Sequence, residues 1–195
     1  GNIIGEEQSG HMREVGHELY QSMLEETIAK LKAGEAGLVE TDDQWAPQIN
    51  LGVPVLIPED YVPDLDVRLG LYRRLSTLAS KVELEGFAAE LIDRFGPLPR
   101  EVTLLTRIVR IKAMCKKAGI AKLNVGAKGA TIEFYNNKYA NPAGLVAFVH
   151  GQNGRAKIKD TKIVVQQDWP SEGDRVKGAF ALAKDLALNA RASAA

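Results

Sequence analysis

The sequence predicts an α+β fold: a small, mostly antiparallel sheet packed with several helices and preceded by an N-terminal helical extension. Three observations carry that expectation. Apolar residues recur at three- and four-residue spacing over stretches of helical length, as in Leu84, Phe87, Ala88, Leu91 and Phe95. Others alternate at a two-residue period, as in Ile49, Leu51, Val53, Val55 and Ile57. Glycine and proline stops separate these stretches, at Gly34, Pro58, Pro63, Gly96-Pro97 and Gly119.

The 195 residues suffice for one ordinary domain and an appendage, with 45% hydrophobic and 26% charged content in the globular range. Lys+Arg and Asp+Glu both number 25, so a net charge of zero makes no global case for nucleic acid or a membrane surface. The lone Cys115 excludes an intramolecular disulfide and fits a reducing cytoplasm. No apolar run approaches the roughly 18 to 20 residues of a membrane span, and no signal peptide is evident. An opening Gly-Asn-Ile-Ile-Gly without an initiator Met reads as a piece of something longer, although a processed start would look similar.

In chain order, a polar loop over 1–10 precedes a helix over about 11–33, with Met12, Val15, Leu19 and Met23 on one stripe. Lys30 and Lys32 suit its last turn, and Gly34 stops it. A linker over 34–47 follows, which places a boundary near Gln48: residues 1–47 form the extension and 48–195 the main domain. The alternation over 49–57 predicts a strand, at an edge or bulged because Pro54 lacks an N–H. Asp64 caps a helix over about 65–79 with two apolar stripes: Val67, Leu71, Leu75 and Leu78, and, roughly opposite, Leu65, Leu69 and Tyr72.

Ser80 and Glu83 form an S-x-x-E capping box for the next helix, and Gly96-Pro97 predicts an αL cap and a sharp stop. A long helix over about 99–118 turns Leu105, Ile108, Ile111 and Cys115 inward and closes at Gly119. Strands over 120–125 and 131–135 join across a turn at 126–129, and Asn141-Pro142 starts a helix to about Val149. Ala156 to Lys159 and Lys162 to Gln166 make a hairpin around Asp160. Ser171 caps a terminal helix with an Ala-rich end.

No phosphate loop or nucleophile elbow is present. His11 and His17, about 120° apart on a helix, do not converge as zinc ligands do, and Cys115 on an apolar face reads as inert. Arg107, Arg110 and Lys117 share one side of the long helix, with Lys112 and Lys116 at its other edge. That face admits a nucleic-acid reading, weakened because the helix has no aromatic for stacking; a solvated face is the plainer one.

The helix after Ser80 is more informative. With Leu84 at 0° and about 100° per residue, the core residues cluster within about 80° of zero, while Gly86, Glu90 and Asp93 fall near 180° to 240°. Glu90 and Asp93 are three apart, which costs a few tenths of a kcal/mol in like-charge repulsion, and Gly86 costs about 1 kcal/mol against Ala. A plain solvated acidic face explains this as well as a docking surface does. In the docking reading a bare backbone lets a basic partner, best an arginine, approach two carboxylates.

Several segments in this order resemble the C-terminal part of the bacterial transcription-repair coupling factor family, the Mfd translocases. They are Gly5-Glu-Glu-Gln-Ser-Gly-His11, Leu56-Ile-Pro-Glu-Asp-Tyr-Val-Pro-Asp64, Arg68-Leu-Gly-Leu-Tyr-Arg-Arg-Leu75 and Glu90-Leu-Ile-Asp-Arg-Phe-Gly96. The resemblance implies that residues 1–47 are the tail of the second helicase-type translocation domain, in which Gln8 matches the glutamine of a motif shared with RecG. It implies that residues 48–195 are the family's C-terminal regulatory domain, non-catalytic and without a cofactor. ATP and Mg would be used by upstream parts of the parent, a double-stranded DNA translocase that displaces stalled RNA polymerase. The implied partner is the UvrB-like N-terminal module of the same protein, docked through Glu90, Asp93 and Gly86 so that its UvrA-binding surface is masked. The alternative is a nucleic-acid-binding module using Arg107, Arg110 and Lys117.

Overall fold

A computed structural model describes residues 45–53 and 56–191. They fall into two compact units, residues 56–109 and residues 45–53 with 110–191. The helix expected over 11–33, Gln8, His11, His17 and most of the 34–47 linker lie outside the described residues.

The first unit holds helices α1 (Leu65–Thr77) and α2 (Lys81–Phe95) and the start of α3 (Arg100–Ala118). Asp64 caps α1 as expected, its carboxylate accepting from the Val67 N–H at 3.0 Å. The two-stripe expectation needs correction, because Arg68, Leu71, Tyr72 and Leu75 are buried while Leu65 is 52% exposed. The reason is polar. The irregular loop 56–64 has backbone groups that need partners, and α1 supplies them. Arg68 donates to the Val62 carbonyl at 2.7 Å and the Pro63 carbonyl at 3.0 Å. The Tyr72 hydroxyl oxygen accepts from the Ile57 N–H at 2.6 Å.

In α2 the capping box closes in both directions: Glu83 N–H donates to Ser80 Oγ, and Ser80 N–H to the Glu83 carboxylate, each at 3.2 Å. Leu84, Phe87 and Leu91 are its buried face. Gly96 ends it, although not in the αL conformation: φ is 97° and ψ is −169°, a region open essentially to glycine alone. Beneath that end the Tyr61 hydroxyl lies 2.8 Å from the Gly96 carbonyl and 3.1 Å from that of Leu91.

The second unit is built on a five-stranded sheet of order β1-β2-β3-β5-β4 among the described residues. Here β1 (Gln48–Asn50) is much shorter than the strand expected over 49–57. The ladder stops because Gly52 turns at φ +64° and gives its N–H to the Asn50 side chain. Ile49, Leu51, Val53 and Ile57 are still buried, so the alternation read burial correctly and hydrogen bonding incorrectly. β1 does stand at an edge, parallel to β2 (Ile120–Gly126), while the other pairings of the described strands are antiparallel. β2 and β3 (Gly129–Phe134) form the expected hairpin, as do β4 (Ala156–Lys159) and β5 (Lys162–Gln166).

Leu123, Ile132 and Ile163 pair in register and are buried on the face where α4 (Pro142–Gly151) and α5 (Glu172–Arg191) pack. Ser171 caps α5 by accepting from the Asp174 N–H at 3.0 Å. Asn141 stands at the start of α4 as expected, but its side chain makes no cap bond there. Its amide reaches across to donate to the Asn189 carbonyl at 2.8 Å. Gly144 keeps the space open, since a Cβ there would lie 2.6 Å from that amide nitrogen.

Ser80→Ala should cost about 1 kcal/mol, read as a lower urea midpoint by circular dichroism. Gly129→Ala should cost far more, because a Cβ at φ +135° would sit 1.9 Å from the Val165 carbonyl oxygen.

Candidate functional site

The outward side of α2 is organised by what it does not bury. Val82 is 78% exposed, and Gly86, Ala89 and Asp93 are exposed with it. Their spacing of four, three and four residues makes one continuous stripe along the helix. Its middle carries almost no side chain, and its far end carries a carboxylate. No atom lies within 4 Å of where a Gly86 Cβ would be, so nothing among the described residues requires a glycine there. The Asp93 side chain has no hydrogen bond or ion pair among the described residues.

Glu90 differs. Arg74 of α1 forks onto its carboxylate, Nη1 to Oε2 and Nη2 to Oε1, the latter at 3.2 Å. Arg94, one turn on, approaches the same Oε2 at 3.4 Å. Both guanidinium groups also lie over aromatic rings, Arg74 5.3 Å from the Phe87 centroid and Arg94 4.8 Å from that of Phe95. The Arg74 hydrogen bond holds the Glu90 carboxyl below the usual carboxylate range and pushes the Arg74 guanidinium up. Glu90 and Asp93 are therefore neighbours on the helix with different circumstances, one gripped from within and the other open. Arg74, sixteen residues from Glu90, gave no short-range signal in the sequence.

The basic residues of α3 are likewise unequal. Arg107 and Lys117 are exposed, whereas Arg110 is half-buried. Lys116 lies 4.0 Å from the Trp45 ring centroid and donates to the Trp45 carbonyl. Cys115 is fully buried, and burial pushes its thiol up to about 12, so it is no nucleophile at neutral pH. Among the described residues no cluster of His, Cys, Asp and Glu could hold a metal ion, and no helix is long and apolar enough to cross a membrane.

The sign of the pH dependence follows from Glu90. A carboxylate whose pKa is depressed by folding contributes stability that is present above its unfolded pKa and lost as pH falls through the folded value. In a side-chain carboxyl NMR titration, Arg74→Ala should raise the Glu90 midpoint and remove this part of the acid-range loss of stability.

The chain matches the TRCF domain family over residues 51–145. It is 47% identical to the transcription-repair-coupling factor of Rickettsia conorii over 84% of its length, and 35% identical to that of Escherichia coli over 97%. It spans only 14% and 17% of those two proteins. The crystal structure of a C-terminal domain of transcription-repair coupling factor shares the fold at a TM-score of 0.62 and 17% identity, over 76% of this chain and 96% of that one. With sequence identity running through nearly all of the chain and the fold agreeing, this protein belongs to the transcription-repair-coupling factor family and carries its C-terminal domain.

Proposed function

We propose that this chain is the non-catalytic, autoinhibitory module of a double-stranded DNA translocase that couples stalled transcription to nucleotide excision repair. In this reading α2 docks on the UvrB-like N-terminal module of the same protein and masks its UvrA-binding surface. ATP, Mg and contact with RNA polymerase and DNA belong to other parts of the parent, as does the translocation motif to which Gln8 is assigned.

The observation that carries the reading is the stripe of Val82, Gly86, Ala89 and Asp93. A helix normally gains by replacing an interior glycine with alanine, by about 1 kcal/mol. Here no internal contact opposes that change, so a partner's close approach is the remaining reason for bare backbone. Ala89, one turn on, keeps the same surface low. Beyond it Asp93 offers an unneutralised carboxylate, suited to the bidentate fork of an arginine. The runner-up, nucleic-acid binding through Arg107, Arg110 and Lys117, is weaker because Arg110 is half-buried.

In the full-length protein, Asp93→Lys should raise UvrA affinity by at least tenfold, since losing a desolvated charge pair costs about 2 to 5 kcal/mol. Glu90→Lys with Asp93→Lys should do at least as much, but Asp93→Lys is the cleaner variant because Glu90 also serves the first unit internally. Gly86→Ala should stabilise the isolated chain by up to about 1 kcal/mol while loosening the docked state. UvrA binding unchanged by Asp93→Lys would contradict the masking role.

A further inference from the structure

The second unit holds a cleft lined by its own residues. Its volume is about 390 Å³, within the roughly 300–1,000 Å³ of small-ligand sites. It lies between the last turn of α3 and the segment after β3, and Trp45, Lys116, Lys117, Tyr135, Lys138 and Tyr139 line it. No acidic residue is among its described lining.

The aromatic part is held in place by backbone. Trp45 and Tyr135 stack with centroids 4.6 Å apart and planes 8° from parallel. Tyr135 N–H donates to the Gly119 carbonyl at 2.8 Å, and Lys116 ties down Trp45 through its carbonyl. Asn136 and Asn137 then take φ of 54° and 55°. That left-handed pair, tolerated by asparagine, returns Lys138 and Tyr139 to the cleft wall. The Tyr139 hydroxyl is anchored on the Leu186 carbonyl. Trp45 and Tyr135 are half-buried, each leaving part of its ring accessible at the cleft.

Lys116 is committed to Trp45, and the other two cations are not. Lys117 and Lys138 are both exposed and have no ion pair among the described residues. In a chain whose charges balance overall, Lys117 and Lys138 beside one cleft, with no carboxylate in its described lining, make a local positive field. A preformed aromatic platform with unneutralised ammonium groups at its rim matches a ligand that is planar, aromatic and anionic. We propose that this cleft binds a nucleotide unit, its base on the Tyr135 end of the Trp45–Tyr135 stack, since Lys116 covers the far face of Trp45, and its phosphate between Lys117 and Lys138. That unit can be a free mononucleotide or one residue of a single strand, and both present the same chemistry.

The test uses fluorescence anisotropy of the whole chain with labelled dT15, rU15 and AMP. Binding should weaken as salt rises. Lys138→Glu and Tyr135→Ala should each weaken it about tenfold, within the range of one lost base-stacking contact, while Arg107→Glu should change it less than twofold. Equal affinity for AMP and dT15 identifies a free nucleotide as the ligand, and binding of the oligonucleotides alone identifies a single strand. Should Tyr135→Ala unfold, the surface variant Lys138→Glu decides. The proposal is overturned if none of the three probes binds, or if Lys138→Glu binds like wild type.

Discussion

The loop 56–64 has no regular structure, and the first unit depends on how its backbone is satisfied. Tyr72 and Arg68 reach it from α1, and its own Tyr61 reaches the C-terminal end of α2. An unpaired buried backbone group costs about 1 to 3 kcal/mol, so these side chains do more than decorate the loop: they fix α1 and α2 against it. A tyrosine hydroxyl carries one proton, so Tyr61 donates to one carbonyl at a time, and the shorter distance favours Gly96. Arg74 and Glu90 meet because both helices are held in this way.

That meeting divides the acidic face of α2. Two arginines more than neutralise Glu90 and are themselves spread over Phe87 and Phe95, so this part of the helix carries net positive charge. Asp93 keeps its charge, and Val82, Gly86 and Ala89 beside it offer apolar surface and bare backbone. A partner arginine approaching this stripe would be attracted by Asp93, and would be repelled by Arg74 and Arg94 if it strayed toward Glu90. Specificity would then come from repulsion as well as attraction. The proposed docking surface is narrower than a pair of equivalent carboxylates, with a single acidic anchor and a smooth extension toward the helix start.

Local signals were legible where the chemistry is local. The Ser80–Glu83 box, the Asp64 and Ser171 caps and both hairpins were readable because each depends on residues within a few positions. The strand over 49–57 was overextended because alternation reports burial and not ladder partners, and Gly52 could end the ladder without breaking the pattern. The burial of Tyr72 was readable in its stripe, but the burial of Arg68 and the hydroxyl bond of Tyr72 were not, because the groups they serve are loop carbonyls and amides, which leave no trace in a helical wheel. The Trp45–Tyr135 stack joins residues on either side of three helices in sequence, beyond the reach of any motif. On the outward side of α2, Gly86, Glu90 and Asp93 stood out in the sequence, and the bidentate Arg74 contact that most sets Glu90 apart comes from the packing of α1 against α2.

The central claim is that α2 is a docking surface centred on Asp93 and Gly86. Calorimetric titration of this chain against the UvrB-like N-terminal module tests it most directly, with wild type, Asp93→Lys and Gly86→Ala compared at one ionic strength. Saturable binding by the wild type, weakened at least tenfold by Asp93→Lys and measurably by Gly86→Ala, is the predicted result. Equal affinity for all three chains would contradict it.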